Sequence, residues 1–107
     1  MIRTGAVTLI LWTIFAWPSV QAEDRSGEAV WKMHCFGCHR PDGAGPGTVM
    51  LKHRYGEPRA YISANPDLNR DYVKQVVRNG LIEMPPFRPS EISDGELDSL
   101  IDFLLSD

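Results

Sequence analysis

The chain has two cysteines, spaced three residues apart with a histidine directly after the second: Cys35-Phe36-Gly37-Cys38-His39. No other feature restricts the fold so strongly. Two thiols at that spacing, carried at the end of a helix, reach two points on one edge of a planar macrocycle, and the next residue then turns its imidazole under the centre. C-x-x-C-H is the attachment pattern of a c-type haem, with Cys35 and Cys38 forming the thioethers and His39 the proximal iron ligand. A covalent group of that size also answers a shortage in the rest of the chain. Of 107 residues, the first 22 read as a separate export signal. Arg3 is a single n-region charge, Gly5 to Trp17 is uncharged and apolar, and Val20 and Ala22 suit cleavage after Ala22. That apolar run falls short of the about 20 residues that span a bilayer, which favours a cleaved signal over the alternative of an uncleaved N-terminal anchor, and cleavage leaves no membrane span.

The remaining 23–107 form one domain with ten basic and fourteen acidic residues, a formal charge of −4. This balance argues against nucleic acid as a partner. A domain of this size buries only about 60–65% of its unfolded surface, so packing alone leaves it marginal and a staple is needed.

The patterning predicts an all-α domain of three to four helices. Ser26 to about Phe36 reads as the first helix, with Gly27, Trp31 and Cys35 recurring every four residues beside Val30. Residues 40–66 carry Pro41, Asp42-Gly43, Gly45-Pro46-Gly47, Gly56, Pro58 and Asn65-Pro66, and are expected to be loop with at most a turn or two of helix. A helix from Asn69 or Arg70 to Asn79 has Asn69 as cap, Tyr72, Val73, Val76 and Val77 as its apolar face, and Asn79-Gly80 as its stop. The last helix starts at a capping box, Ser93-Asp94-Gly95-Glu96, flanked by the hydrophobic staple Ile92 and Leu97, and continues through Leu100, Ile101 and Leu104. No stretch alternates with period two, as a strand requires.

In cytochromes c the sixth iron position is commonly a methionine, whose thioether raises the potential. Met1 leaves with the leader, Met33 lies on the first helix before the cysteines, and Met50 falls in the Gly/Pro-rich stretch. Met84, followed by Pro85-Pro86, which stiffen its backbone, is the candidate distal ligand. His53, within Lys52-His53-Arg54-Tyr55, offers a bis-histidine alternative, and His34 reads as a surface residue. Against the haem stand a local disulfide or redox pair, which would need a βαβ frame for thioredoxin-like chemistry, and a zinc site of Cys35, Cys38, His39 and His53. If the loop folds back, the Gly45-Pro46 carbonyls are placed to accept the free N–H of His39; Tyr55, Tyr61, Tyr72 or Arg59 could reach the propionates or the methionine sulfur, and each reads equally as an ordinary core or surface residue.

Gly27 and Trp31 at their distances before Cys35, the C-x-x-C-H, Gly45-Pro46, the methionine segment and the apolar C-terminal helix together resemble the class I cytochromes c over the whole of 23–107. In that family the first and last helices cross at the small residue. The run Tyr72-Val73-Lys74-Gln75-Val76-Val77-Arg78-Asn79-Gly80-Leu81-Ile82-Glu83-Met84-Pro85-Pro86-Phe87 is similar to the cytochrome subunits of flavocytochromes of the p-cresol methylhydroxylase and eugenol (4-alkylphenol) hydroxylase type. That resemblance implies one haem c and a periplasmic place in a bacterium. It implies an FAD-containing flavoprotein partner that oxidises a para-alkylphenol, and a downstream acceptor such as azurin or another cytochrome. On this reading the chain is not an enzyme by itself. The alternative is a free, diffusible periplasmic carrier. A tight subunit predicts an apolar patch drawn from Cys35-Phe36, Met50-Leu51, Leu81-Ile82 and Pro85-Phe87, whereas a carrier predicts a charged ring.

Overall fold

The computed structural model describes residues 14–19 and 22–106. The expected leader therefore lies mostly outside the described residues, and 14–19 have no regular structure. No helix among the described residues is long and apolar enough to cross a membrane.

The architecture is helical throughout the described residues, where the one β-type contact is an isolated bridge between Leu81 and Met84. Helix α1 spans Gly27–Val30 and continues as a π-helical turn over Trp31–Cys35. Ser26 starts it, its hydroxyl accepting the Ala29 amide at 3.2 Å. The wide turn is visible in the Phe36 amide, which donates to the Trp31 carbonyl five residues back at 2.9 Å. The Cys35 carbonyl then accepts both the Cys38 and His39 amides, at 3.1 and 2.9 Å, which wraps the C-x-x-C-H into a tight turn.

Helix α2, Pro46–Tyr55, overturns the expectation of a loop across 40–66. Proline and glycine act here as a start signal. Gly45 is the N-cap, and Pro46 occupies the first turn, where its missing N–H costs nothing and its fixed φ suits the helix. Gly56, at φ 85°, ends α2. A single turn, α3 (Glu57–Ala60), and a 3₁₀ turn at Ile62–Ala64 lead to α4, Arg70–Asn79. As expected, Asn69 caps α4 by accepting the Tyr72 amide at 3.0 Å, and Gly80 stops it. Helix α5, Asp94–Leu105, opens with the predicted capping box: Ser93 and Glu96 exchange bonds of 3.1 Å in both directions.

The core is small. Val30 from α1, Val73 and Val77 from α4, and Ile92, Leu97, Leu100 and Ile101 on and before α5 close around Cys35. No aromatic side chain among the described residues is fully buried; Trp31 and Phe87 pack against this cluster from its open side. The helices that hold the core together are α1 and α5, and Gly27 is where they meet. A Cβ built on Gly27 would lie 2.0 Å from the Ser99 carbonyl oxygen and 2.9 Å from Phe103 Cβ. Gly27→Ala must push two backbones apart. It is expected to lower stability by about 2 kcal/mol or more, roughly 10 °C in Tm for a domain of this size, in thermal melts of the holoprotein.

Glu96 has a second role beyond the capping box, one its local sequence does not announce. It is buried, and Arg25 reaches it with a backbone amide at 3.0 Å, Nε at 2.7 Å and Nη2 at 2.9 Å. These bonds, the Arg25 side chain foremost, hold the carboxyl at a pKa of about 2 against an ordinary 4.5. A depressed carboxylate stabilises the fold fully above its unfolded pKa and loses that contribution as pH falls through the folded one. Acid titration should therefore show stability falling from about pH 4.5 toward 2. Glu96→Gln should be less stable at neutral pH and flatter across that interval; an equally steep acid limb in the variant would contradict this assignment.

Candidate functional site

A cavity of about 370 Å³ opens between the end of α1, helix α2, helix α4 and the α4–α5 connection. Its walls are mostly apolar, and Cys35, Cys38, His39 and Met84 all lie on them. The structure thus brings together the four residues that the sequence singled out.

Both cysteines are free thiols, Cys35 buried and Cys38 exposed. The local disulfide is absent, and burial, with Cys38 adding to it, pushes the Cys35 thiol up to about 11. Such a thiol stays protonated at neutral pH, the opposite of the depressed thiol of a redox C-x-x-C. The zinc alternative also fails: His53 is exposed and lines no part of the cavity. Among the described residues, no group of three or more His, Cys, Asp or Glu side chains is assembled to hold a metal ion.

His39 is held on three sides. Trp31 stacks near its ring, with centroids 6.3 Å apart and planes 30° from parallel. Gly47 backs onto it, so that a Cβ there would stand 3.1 Å from His39 Cε1 and 2.9 Å from the Cys38 carbonyl; one on Gly45 would stand 2.4 Å from that same carbonyl. Both glycines are needed for close approach. Thr48, buried at the start of this wall, brackets the histidine: its amide donates to Cys38 O at 3.1 Å and its hydroxyl to Arg40 O at 3.1 Å.

Burial keeps the His39 pKa below its ordinary value, so the imidazole is neutral near pH 7 and has a lone pair to give. Its Nδ1 is buried with no hydrogen-bond partner. The Gly45 carbonyl, expected to accept from it, makes no such bond and instead takes the Val49 amide at 3.0 Å in the helix that Pro46 begins.

Met84 sits in a tight turn in which Leu81 and Met84 exchange backbone bonds of 3.1 and 2.9 Å. Gly80, at φ 76°, allows it: a Cβ there would lie 2.6 Å from the Met84 carbonyl oxygen. Ile82, at φ 53°, is the one non-glycine residue with positive φ among the described residues. A β-branched residue in that region is strained, and such strain persists only where the surroundings enforce it. Arg78 braces the chain beyond Met84. Its Nη1 donates to the carbonyls of Phe87 and Ile92 at 3.1 and 2.9 Å, its Nη2 to Asp94 at 2.7 Å, and the Phe87 amide donates to Val77 O at 2.7 Å.

The other sulfurs are sorted by position. Met33 is exposed beside Arg25. Met50 reaches the cavity, contrary to its expected place in a loop, but from the α2 face it shares with Gly47, the wall behind His39. His34, read from sequence as a surface residue, is half-buried, lines the cavity and meets Phe87 edge to face with centroids 5.5 Å apart. Tyr55 and Tyr72 line the cavity, whereas Tyr61 and Arg59 do not, Arg59 pairing with Asp67. Nothing in the sequence signals the Thr48 bracket or the Arg25 contacts, and Arg78 stands out there only as part of a family-like run.

The residues present fit a haem. Two free thiols and a neutral histidine line one apolar cavity together with the Met84 segment. Comparison with known proteins agrees. The family model described as cytochrome c oxidase, cbb3-type, subunit III matches residues 22–104. The chain is 34% identical over 109 residues to the 4-cresol dehydrogenase [hydroxylating] cytochrome c subunit of Pseudomonas putida, covering 99% of this chain and 82% of that one. No solved structure matches it significantly. The chain belongs to the cytochrome c family, and its cofactor is a covalently bound haem c.

Proposed function

We propose that this protein is the monohaem electron-transfer subunit of a flavocytochrome that oxidises para-alkylphenols, taking electrons from the FAD of a flavoprotein partner and passing them to a further acceptor. Cys35 and Cys38 hold the haem through thioethers, His39 is the proximal ligand and Met84 the distal one. Residues 1–22 direct export and 23–107 form the domain that works in the periplasm. The haem, when bound, supplies reversible one-electron chemistry. The protein residues keep its environment apolar, hold the ligands on short, braced segments and so limit rearrangement between oxidation states.

The observation that carries the subunit reading is the rim of the cavity. On it Ile82 is 57% exposed and Pro85 is exposed, and the ionic groups on the lining, Arg54 and Glu83, pair with each other at 3.1 Å. All three lysines of residues 23–107 are engaged, Lys32 with Glu28, Lys52 with Glu57 and Lys74 with Asp98. Such a surface favours a lasting apolar contact over a transient docking ring of free charge. The 4-cresol dehydrogenase subunit it resembles adds the partner's chemistry.

Purification from the periplasm under mild conditions tests this. A flavoprotein is expected to accompany the cytochrome through size exclusion. A lone cytochrome of about 85 residues, with nothing bound at any ionic strength, would favour the free carrier.

A further inference from the structure

We infer that Arg78 is the positioning residue for the methionine segment, a latch that sets how readily the sixth coordination position opens. This rests on the reading of Met84 as the distal ligand. Arg78 stands on α4 next to Val77, which is anchored in the core. Its guanidinium gathers three acceptors from the chain beyond Met84, the carbonyls of Phe87 and Ile92 and the Asp94 carboxylate. Ile92 is fully buried, and Phe87 packs against the same core. One side chain therefore ties both the exit of the methionine segment and the start of α5 to the end of α4.

The segment needs such a tie. On its entering side it is fixed through Gly80 and the Leu81–Met84 turn, which holds Ile82 in a disfavoured conformation. On its leaving side, Pro85 and Pro86 have no amide hydrogen to donate. The Phe87 amide is the first donor available, and it goes to Val77, directly beside Arg78. Without the guanidinium, two partly buried carbonyls lose a charged donor, and the segment keeps that single bond to α4. Hydrogen bonds to charged groups are among the stronger ones. The exposed Arg54–Glu83 pair on the other edge of the segment is too solvated to replace them.

An added ligand for the iron binds only the open form, so its apparent affinity rises in proportion to the open fraction. The test titrates oxidised holoprotein with imidazole, following the iron–thioether absorption, in the parent, Arg78→Ala, Arg78→Lys and Gly27→Ala. Gly27→Ala weakens the α1–α5 crossing away from the methionine segment and controls for general loss of stability. Arg78→Ala is expected to bind imidazole at least about tenfold more tightly than the parent, a shift of ~1.4 kcal/mol. Arg78→Lys, with one nitrogen in place of two, should fall between them, at about threefold, and decides the matter if the alanine variant yields no holoprotein. Gly27→Ala should stay within about twofold at a similar loss of Tm. Affinity within twofold of the parent in the Arg78 variants, or an equal shift in Gly27→Ala, would overturn the latch while leaving Met84 in place. A parent without iron–thioether absorption would overturn the ligand reading and the latch with it.

Discussion

Replacing His39 with alanine is expected to cut the yield of haem-bearing protein at least about tenfold. The expectation follows from how much of the fold the cofactor completes. The protein core is built from aliphatic residues around Cys35, and its aromatic neighbours face a cavity of about 370 Å³. Left empty, that space leaves the walls without contacts, and a domain this small has little surplus stability with which to bear it. His39 does more than fill space: its ring packs beside Trp31 and Gly47, and Thr48 bonds the backbone of the residues on either side of it. Binding that requires a formed site contributes directly to folding, so losing the ligand removes protein as well as colour. Haem content per chain in periplasmic extracts, by pyridine haemochrome against immunoblot, measures it. Normal holoprotein from the variant would reject His39 as proximal ligand.

Met84→Ala should leave the covalent haem in place but remove the weak red-edge absorption of an iron–thioether bond. The reduction potential should fall by more than about 60 mV, a tenfold change in a one-electron equilibrium. The direction follows from the thioether's preference for ferrous iron. Met50→Ala is the informative partner, because Met50 also reaches the cavity but from the wall that backs His39. Its band and potential should stay near the parent's. Loss of the band in Met50→Ala with retention in Met84→Ala would reverse the assignment.

Where sequence and structure agree, the reason is that the signal is local. Ser93 through Glu96 is a self-contained cap, Asn69 and Asn79-Gly80 bound a helix whose valines point one way, and Gly27 lies one helical repeat from Trp31. The four candidate residues are singled out for the same reason, as a five-residue motif and a methionine followed by two prolines, and all four line one cavity. Helix α2 escapes a reading of composition because glycine and proline mean different things at different positions. Gly45-Pro46-Gly47 reads as a break, yet proline at a first turn starts a helix, and the glycines answer a tertiary demand, the close approach of Cys38 and His39. For the same reason the Gly45 carbonyl, read as part of a loop folding back on His39, sits in the first turn of a helix and bonds Val49, not His39. Thr48, Arg25 and Arg78 are hidden for a further reason: each acts on backbone or carboxylate partners brought near by the fold, at separations up to 71 residues for Arg25 and Glu96.

The apolar rim also bears on salt. If the proposed partner docks on Ile82 and Pro85, where the lining charges are already paired within the chain, the complex should hold as ionic strength rises, because screening acts on exposed, unpaired charge.

The most direct measurement mixes the oxidised cytochrome with its flavoprotein, without oxygen, and adds a 4-alkylphenol while the haem spectrum is followed. Reduction of the haem is expected only when both the phenol and the flavoprotein are present, and should be lost when the flavoprotein is left out. A haem that stays oxidised with both present, yet is reduced by an unrelated periplasmic donor, would contradict the subunit role.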